Sequence, residues 1–284
     1  MNTNPEQKPH PRTYAVLGIL CAAAVCVAGL VFMQKEPADT PAEVAALPPL
    51  QATEIHSGLN YALDRVATSK SAPALFIDTL DVNLDRIRDI DEKKATFFRI
   101  MLPHIAREND RIRDERAKII ADPAKVPDKL FEKYGVDDRD VKELLRRVDV
   151  VPASLVLAQA ALESGWGTSR FARNGNNFFG MRTYKKNVKG LDPKAAEGFK
   201  VIVFKNIAAS VRAYMKNLNT HNAYKQLRRA RAKQRADGLA PSGRTMSNFL
   251  TAYSEIPEKY GARLRGMMDR NNLDRFDGVR LARN

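Results

Sequence analysis

The chain has 284 residues, of which 44% are hydrophobic and 28% are charged. This composition can bury a substantial core, and it excludes a largely disordered protein. The 47 Lys and Arg residues outnumber the 33 Asp and Glu residues, so the formal net charge is +14. This excess predicts a polyanionic partner, and charge alone leaves nucleic acid, anionic lipid and an acidic cell-wall polymer open.

The first predicted element is a membrane-spanning helix at residues 14–33, a stretch of twenty residues without a charge. Twenty residues at about 1.5 Å each match the roughly 30 Å hydrocarbon core, whereas a cleavable signal usually has an apolar region of about 7–15 residues. Lys8 and Arg12 precede the span, which predicts a cytoplasmic tail at residues 1–13. We expect a single-pass inner-membrane protein whose body faces the periplasm or cell wall; cleavage of the segment would instead give a secreted protein.

Cysteine and histidine usage favours a mechanism without a metal or other cofactor. Both cysteines, Cys21 and Cys26, lie inside the predicted span, so the body has no disulfide, thiolate metal site or cysteine nucleophile. The histidines of the body, His56, His104 and His221, are widely scattered. A zinc site needs ligands at short spacings, and none occur here.

Beyond a Pro- and Ala-rich linker at residues 34–52, the chain is predicted to be mainly helical. Apolar residues recur at helical spacing from Ile87 to Ile105, and Pro103 is expected to kink or divide that helix. The acids at 137–138 are expected to open a later helix. We assign residues 53–150 to a helical N-terminal extension.

Residues 151–277 are predicted to form the catalytic domain, with a small β-hairpin inserted among helices. The only good strand signals are FFGMRTY (178–184) and FKVIVF (199–204). Further helices are expected at about 206–219, 221–236, 245–254 and 257–271. The fold class is therefore mainly α (α+β), preceded by one transmembrane helix. The basic run at 228–235 is interpreted as a solvated helix face or a contact to anionic wall or lipid, not as a nucleic-acid arm.

Glu163 is the candidate catalytic residue because it ends the most apolar helix of the chain. In the segment from Val156 to Leu162, only Gln159 interrupts an apolar surface, which is typical of a buried helix. Gly165 and Gly167 then predict its end, so Glu163 falls in the last turn. Apolar surroundings and the negative helix terminus both raise a carboxyl pKa. A carboxylic acid protonated near neutral pH can donate a proton to a glycosidic oxygen.

Two interpretations of Glu163 remain open from these residues alone. In one, Glu163 is a general acid and Trp166 offers an aromatic face on which a sugar ring rests. In the other, Glu163 forms a buried salt bridge with Arg170 or Arg173.

The segment ALESGWG, residues 161–167, resembles the signature of the glucosaminidase superfamily (glycoside hydrolase family 73), and the resemblance continues at Ser169, Asn177, Phe179 and Gly180. The stretches 210–224 and 253–273 are similar to the closing helices of that domain, and the wider sequence is similar to the bacterial Bax family. The resemblance covers residues 75–275. It implies a lysozyme-like, mainly helical fold with a site between the helical lobe and the β insertion.

The resemblance also implies roles for individual residues. Glu163 matches the general acid, and Tyr253 matches a tyrosine that lines the cleft. Glu197, before the second strand, is the candidate second carboxylate, and Asp192 is the other acid between the strands. Trp166, Asn177, Phe179 and Gly180 are the expected substrate-binding residues. The basic run after Gly180 departs from the family pattern.

The implied activity is cleavage of β-1,4 glycosidic bonds in peptidoglycan, most simply as an endo-β-N-acetylglucosaminidase with Glu163 as general acid. A lytic transglycosylase and a non-catalytic peptidoglycan-binding scaffold are the alternatives. Peptidoglycan strands are the expected partner. Nucleic acid is not expected, since an exported body would not meet DNA and no DNA-binding motif occurs.

Overall fold

A computed structural model describes residues 59–80, 84–193, 198–250 and 257–282 of the chain. The predicted tail, membrane span and linker lie outside these ranges, and so do Tyr253 and Glu197. Within the described ranges, no helix is long and apolar enough to cross a membrane.

The described part of the chain is mainly helical and carries two small sheets, as the predicted fold class requires. The α-helices are α1 (Leu63–Ser69), α2 (Ile90–Ala121), α3 (Asp128–Tyr134), α4 (Val141–Arg147), α5 (Ala153–Ser164), α6 (Arg170–Gly175), α7 (Ile207–Thr220), α8 (Lys225–Ala236), α9 (Gly243–Ser247) and α10 (Pro257–Arg270). The strands are β1 (Ser71–Ala72), β2 (Arg182–Thr183), β3 (Gly190–Leu191), β4 (Lys200–Ile202) and β5 (Arg280–Leu281). Short 3₁₀ turns lie at Leu84–Arg86, Pro123–Lys125, Asn222–Tyr224 and Leu273–Phe276.

Helix α5 is the centre of the core, which confirms the prediction of a buried helix. Residues 153–161 are all buried. The helix packs against α2, α9 and α10 and against the 3₁₀ turn at Leu273–Phe276. Its first turn is held by Asp277, whose carboxylate accepts from the Ser154 backbone N–H at 2.8 Å and from the Ser154 hydroxyl at 2.9 Å. A helix that is apolar on every face is stabilised only when neighbours cover all of those faces.

The β insertion follows α6 and forms a three-stranded antiparallel sheet in the order β2-β4-β3. Arg182 pairs with Val201 and Thr183 with Lys200, while Gly190 pairs with Ile202. The insertion therefore lies where the sequence predicts it, but its strands are shorter than the two predicted segments. A second sheet pairs β1 with β5 in parallel and joins the two ends of the described chain.

Two helix boundaries differ from the expected ones. Helix α2 is 32 residues long and is not divided at Pro103, and the kink that was the other expectation stays a prediction. A proline costs a helix interior about 3 kcal/mol, and here residues 100–106 are buried against the core, which offsets that cost. The acids at 137–138 do not open a helix; Asp140 caps α4, accepting from the Glu143 N–H at 3.0 Å.

The basic helix α8 does not present a fully solvated face, contrary to expectation. Arg228 and Arg231 are buried, at 2% and 0% exposure. The Arg231 guanidinium donates to the backbone oxygens of Asp149, Val150 and Arg146. The Asp149 carboxylate also accepts two hydrogen bonds from Arg235, at 2.9 and 2.6 Å. Part of the basic run is therefore buried and connects α8 by hydrogen bonds to the segment before α5.

Candidate active site

Glu163 lies in the last turn of α5, as predicted, and the chain reverses immediately after it. Gly165, Trp166 and Gly167 all have positive φ, at 57°, 60° and 78°. The buried Ser164 hydroxyl holds this turn: it donates to the Ala160 carbonyl at 2.5 Å and accepts from the Gly167 N–H at 2.8 Å. Two of the three positions are glycine because glycine adopts positive φ without steric cost. The turn leaves Glu163 half-buried, where the core meets the surface.

A chain of hydrogen bonds leads from the core to the Glu163 carboxylate. The Tyr260 hydroxyl donates to Glu163 Oε1 at 2.6 Å. Gln159 Nε2 donates to the Tyr260 hydroxyl at 2.9 Å, and the Tyr214 hydroxyl donates to Gln159 Oε1. Gln159 and Glu163 are one helical turn apart on α5, so Tyr260 on α10 bridges both. Tyr214, on α7, is fully buried and stacks on Phe179 with ring centroids 4.0 Å apart.

The pKa of Glu163 is raised above its ordinary value of 4.5. Burial is the largest cause, because it disfavours the charged form. The Tyr260 hydrogen bond and the positive charges of Arg263 and Arg182 act in the opposite direction, without cancelling the effect of burial. The pKa of Tyr260 is also raised, by burial and then by the Glu163 charge, so its phenol stays protonated and donates. The site thus favours a protonated carboxyl.

Gly180 brings the β lobe against the second carboxylate oxygen. A Cβ placed on Gly180 would lie 3.7 Å from Glu163 Oε2. Gly180 is exposed and has a φ of +64°, which disfavours any larger residue there. Tyr260 binds Oε1, so Oε2 is the oxygen that faces the β lobe across the cleft.

Asn177 and Phe179 shape the loop that presents Gly180. The Asn177 amide donates to the carbonyls of Met181 and Ile202, and its oxygen accepts from the Met181 N–H at 3.0 Å. Asn177 is 2% exposed and Phe179 is 1% exposed. In this conformation both side chains therefore support the loop from beneath, and their predicted contact with substrate stays a prediction.

The Trp166 ring packs on helix α2. Its centroid lies 5.8 Å from that of Phe97 and 5.5 Å from that of Phe98, both in edge contacts. The Lys94 ammonium lies 5.8 Å from the ring centroid. The ring is half-buried and anchors the turn after Glu163; its proposed use as a sugar platform stays a prediction.

The alternative salt bridge of Glu163 does not form with either predicted arginine. Arg170 donates to the Asp192 carbonyl at 2.5 Å, and Arg173 lies 3.8 Å from Asp85. The described side chains that shift the pKa of Glu163 are Tyr260, Arg263 and Arg182, and none of them is a carboxylate. Asp192 is an exposed acid of the β lobe. Tyr253 and Glu197 fall outside the described residues, so their predicted roles stay predictions. No group of described side chains could hold a metal ion.

Sequence reasoning missed Tyr260, Tyr214 and the two arginines near Glu163. One signal was available: Gln159 is the single polar residue between Val156 and Leu162, and it lies one turn before Glu163 on the same face. A fully buried glutamine needs hydrogen-bond partners, which predicts polar side chains from neighbouring helices. It does not identify them, because Tyr260 is 101 residues away in sequence.

Comparison with known proteins agrees with this geometry. Residues 139–273 match the family model described as mannosyl-glycoprotein endo-beta-N-acetylglucosaminidase, the Glucosaminidase domain. The chain is 35% identical over 195 residues to Protein bax of Escherichia coli strain K12. The aligned region covers 63% of this chain and 70% of that protein. No solved structure matches the chain. The matched domain includes α5, the β lobe and α10, which together form the site.

Proposed function

This chain belongs to the Bax family of glucosaminidase-domain proteins, and on that premise we propose that it cleaves β-1,4 glycosidic bonds of peptidoglycan. The specific activity proposed is that of an endo-β-N-acetylglucosaminidase with Glu163 as general acid. The observation that carries the proposal is the half-buried Glu163 carboxyl, with a raised pKa, between the Tyr260 hydroxyl and the β lobe at Gly180.

The different surroundings of the two carboxyl oxygens support the role of Glu163 as a general acid. Oε1 accepts a short hydrogen bond from Tyr260, so the proton of the neutral acid resides on Oε2. Oε2 faces Gly180, where the absence of a side chain leaves room for the glycan. Proton donation from Oε2 to the departing oxygen would assist bond cleavage as the anomeric carbon becomes oxocarbenium-like.

The second part of the proposal concerns the group that attacks the oxocarbenium-like anomeric carbon. A carboxylate about 5–5.5 Å from the acid acts as nucleophile, and one at about 6.5–9.5 Å activates water. Glu197 is the candidate for such a carboxylate. We favour attack by the acetamido oxygen of the substrate, with Tyr253 holding it, because the described residues around Glu163 contribute only positive charges and a phenol.

The test is mass spectrometry of the sugar ends released from purified peptidoglycan. The wild-type chain is expected to release reducing N-acetylglucosamine ends, and folded Glu163→Gln is expected to release none. Glu132→Gln, the same substitution at an exposed glutamate of α3, is the matched control and should cleave normally. Equal digestion by wild type and Glu163→Gln would refute the acid role.

The same experiment separates the alternative activities. A lytic transglycosylase also uses a single glutamate, and it would leave anhydro-muramic ends. A peptidoglycan-binding scaffold would bind the strands and release neither product.

We also propose that residues 14–33 anchor the enzyme in the inner membrane, with the catalytic domain on the periplasmic or wall side. The charge-free span and the basic flank of the N-terminal tail support this orientation. Fractionation of cells, followed by protease treatment of spheroplasts, should find the intact chain in the membrane and the body accessible from outside.

A further inference from the structure

One face of the β lobe combines an exposed aromatic ring with a cation that has no acidic partner. Arg182 and Thr183 pair with Val201 and Lys200, and the same register places Tyr184 opposite Phe199. The Tyr184 and Phe199 rings are in edge contact, with centroids 6.1 Å apart. The Arg182 guanidinium lies 4.2 Å from the centroid of the Phe199 ring. We call Arg182, Tyr184 and Phe199 the Arg182 face.

The Arg182 face begins beside Glu163. Side chains alternate along an extended chain, so Arg182 and Tyr184 point to one side and Thr183 points to the other. Thr183 is buried, whereas Tyr184 is exposed. Gly180 lies against Glu163 Oε2, and Arg182 follows two residues later, where β2 begins. The Arg182 face therefore begins two residues beyond the point where the β lobe meets the Glu163 carboxyl.

Arg182 is held in place by the aromatic contact and not by an acid. A guanidinium stacked on a ring keeps its N–H groups directed outward, where they can bind an oxyanion. Within the described ranges, Arg182 has no carboxylate within 4.0 Å, whereas Arg99, Arg111, Arg113 and Arg235 each pair with one. A second cation, Arg263 on α10, is exposed and lies one helical turn beyond Tyr260.

Both cations act on the Glu163 carboxyl. The charges of Arg263 and Arg182 each lower the pKa of Glu163, against the larger effect of burial. Arg182 belongs to the β lobe and Arg263 to the helical lobe.

We propose that the Arg182 face is a subsite for a sugar that carries a carboxylate, with Tyr184 stacking on the sugar and Arg182 binding the carboxylate. This inference rests on the proposed function and names the substrate feature that the enzyme selects. Two sources of the carboxylate share this chemistry: the lactyl group of a muramyl residue without a peptide, and the free carboxylates of a peptide stem. A neutral glycan of the same backbone would lack the interaction.

The test measures binding by the full-length chain in detergent micelles, with Glu163→Gln as background so that no strand is cleaved. The probes are peptide-free glycan strands, the same strands with their lactyl carboxyls converted to methylamides, and peptide-bearing strands. The peptide-free strands should bind about tenfold more tightly than the methylamides, since one charge-assisted hydrogen bond is worth about that factor. If the stem supplies the carboxylate, the peptide-bearing strands should show the preference instead.

Adding Arg182→Gln should abolish the preference for the carboxylate and leave binding of the methylamides unchanged. Lys200→Gln is the matched control, because Lys200 is a cation of the same sheet that pairs with Thr183, on the side away from this face. Tyr184→Ala should weaken binding of all strands alike. The proposal is overturned if methylamide strands bind as tightly as charged ones, or if Arg182→Gln weakens both equally.

Cleavage assays separate this inference from the proposed activity. If the wild-type chain cleaves charged and neutral strands equally and Arg182→Gln changes neither, the subsite is wrong and the hydrolase remains. If binding depends on the carboxylate through Arg182 but the wild type cleaves nothing, the subsite stands and the hydrolase is wrong.

Discussion

At the scale of single residues, the Tyr260 hydroxyl orients the Glu163 carboxyl. Its hydroxyl is oriented by Gln159 and binds Oε1, so the two carboxyl oxygens are not equivalent. Burial raises the pKa of Glu163, and the hydrogen bond from the Tyr260 hydroxyl lowers it. Tyr260 therefore limits the increase in pKa that burial causes. The site thus combines a raised pKa with a defined orientation of the acid.

Tyr260→Phe is therefore expected to change both the rate and its pH dependence. The variant should lose about 10–100-fold in kcat/KM, a typical loss when a catalytic group loses its orientation. Removal of the hydrogen bond raises the pKa of Glu163 further. Activity needs the protonated acid and falls as pH rises through this pKa, so the alkaline limb of the profile should move to higher pH.

The control is Tyr61→Phe, which removes the hydroxyl that donates to the Arg99 carbonyl at 2.8 Å, outside the site. It should leave the alkaline limb in place. An unchanged limb in Tyr260→Phe would show that Tyr260 does not tune Glu163.

Glu163→Gln should also make the protein more stable. In the wild type the raised pKa means that the folded state disfavours the ionised carboxyl. Stability is therefore fully present below the unfolded pKa of about 4.5 and declines as pH rises through the folded pKa. Glutamine keeps an acceptor for Tyr260 and carries no charge. We expect a gain of about 0.5–2 kcal/mol at pH 7 that shrinks at pH 4.

Thermal unfolding of both proteins at pH 4 and pH 7 measures this gain. A variant that is less stable than the wild type at pH 7 would contradict the account in which burial disfavours the ionised form of Glu163.

At the scale of elements, the turn after α5 packs Glu163's end of the helix against the segment that precedes helix α2. A Cβ on Gly167 would lie 3.1 Å from Leu84 Cδ1 and 3.2 Å from Leu80 Cδ2. Its φ of +78° adds the cost of a left-handed conformation. The close approach explains why the chain places a glycine where the turn meets the core.

Gly167→Ala is expected to cost more than Gly238→Ala, which serves as its control. Gly238 has a similar φ of +73°, but a Cβ there would meet no atom within 4 Å. The control should lose about 1–2 kcal/mol from backbone strain alone. Gly167→Ala should lose a further 1 kcal/mol or more, roughly, from overpacking. Chemical denaturation measures both, and equal losses would mean that crowding at Gly167 is unimportant.

At the scale of the whole molecule, a buried ionic cluster joins the helices around α5. Asp149 is 2% exposed and lies between Arg231 and Arg235, with Arg116 at 4.0 Å. Burial by itself would raise the pKa of Asp149, but the hydrogen bonds from Arg235 and the charges of the three arginines hold it below its usual value. The cluster connects α2, α8 and the segment that leads into α5.

Asp149→Asn is expected to destabilise the fold by about 3–5 kcal/mol, because it leaves the buried Arg231 without its counterion. The control is Asp269→Asn, whose carboxylate pairs with Arg244 at the surface and should cost under about 1 kcal/mol. Since the folded pKa of Asp149 is depressed, its contribution is present above the unfolded pKa of about 3.8 and is lost as pH falls below it. Urea titrations at pH 7 and pH 3 should show a smaller difference between variant and wild type at pH 3.

Much of the architecture follows from local pattern. The apolar run before Glu163 predicts a buried helix, the glycines after it predict its end, and the strand signals predict the β insertion. These predictions depend on neighbours within a few residues, where helix and strand periodicity carry the information. The family resemblance adds the helical fold and the position of the acid.

The sequence by itself therefore determined the fold class, the family and the position of Glu163 at the end of a buried helix. Only the tertiary structure decided which side chains surround that carboxyl. Tyr260, Arg263 and Arg182 come from segments that local periodicity describes as ordinary helix and loop. Packing brings Tyr260 and Arg263 to Glu163 from about a hundred residues away, and it brings Arg182 from the β lobe. The same is true of α8, whose arginines look solvated in sequence but are buried because Asp149 and backbone carbonyls receive them. Periodicity reports which face of an element is apolar, whereas hydrogen bonds and charges between distant elements depend on how those faces meet.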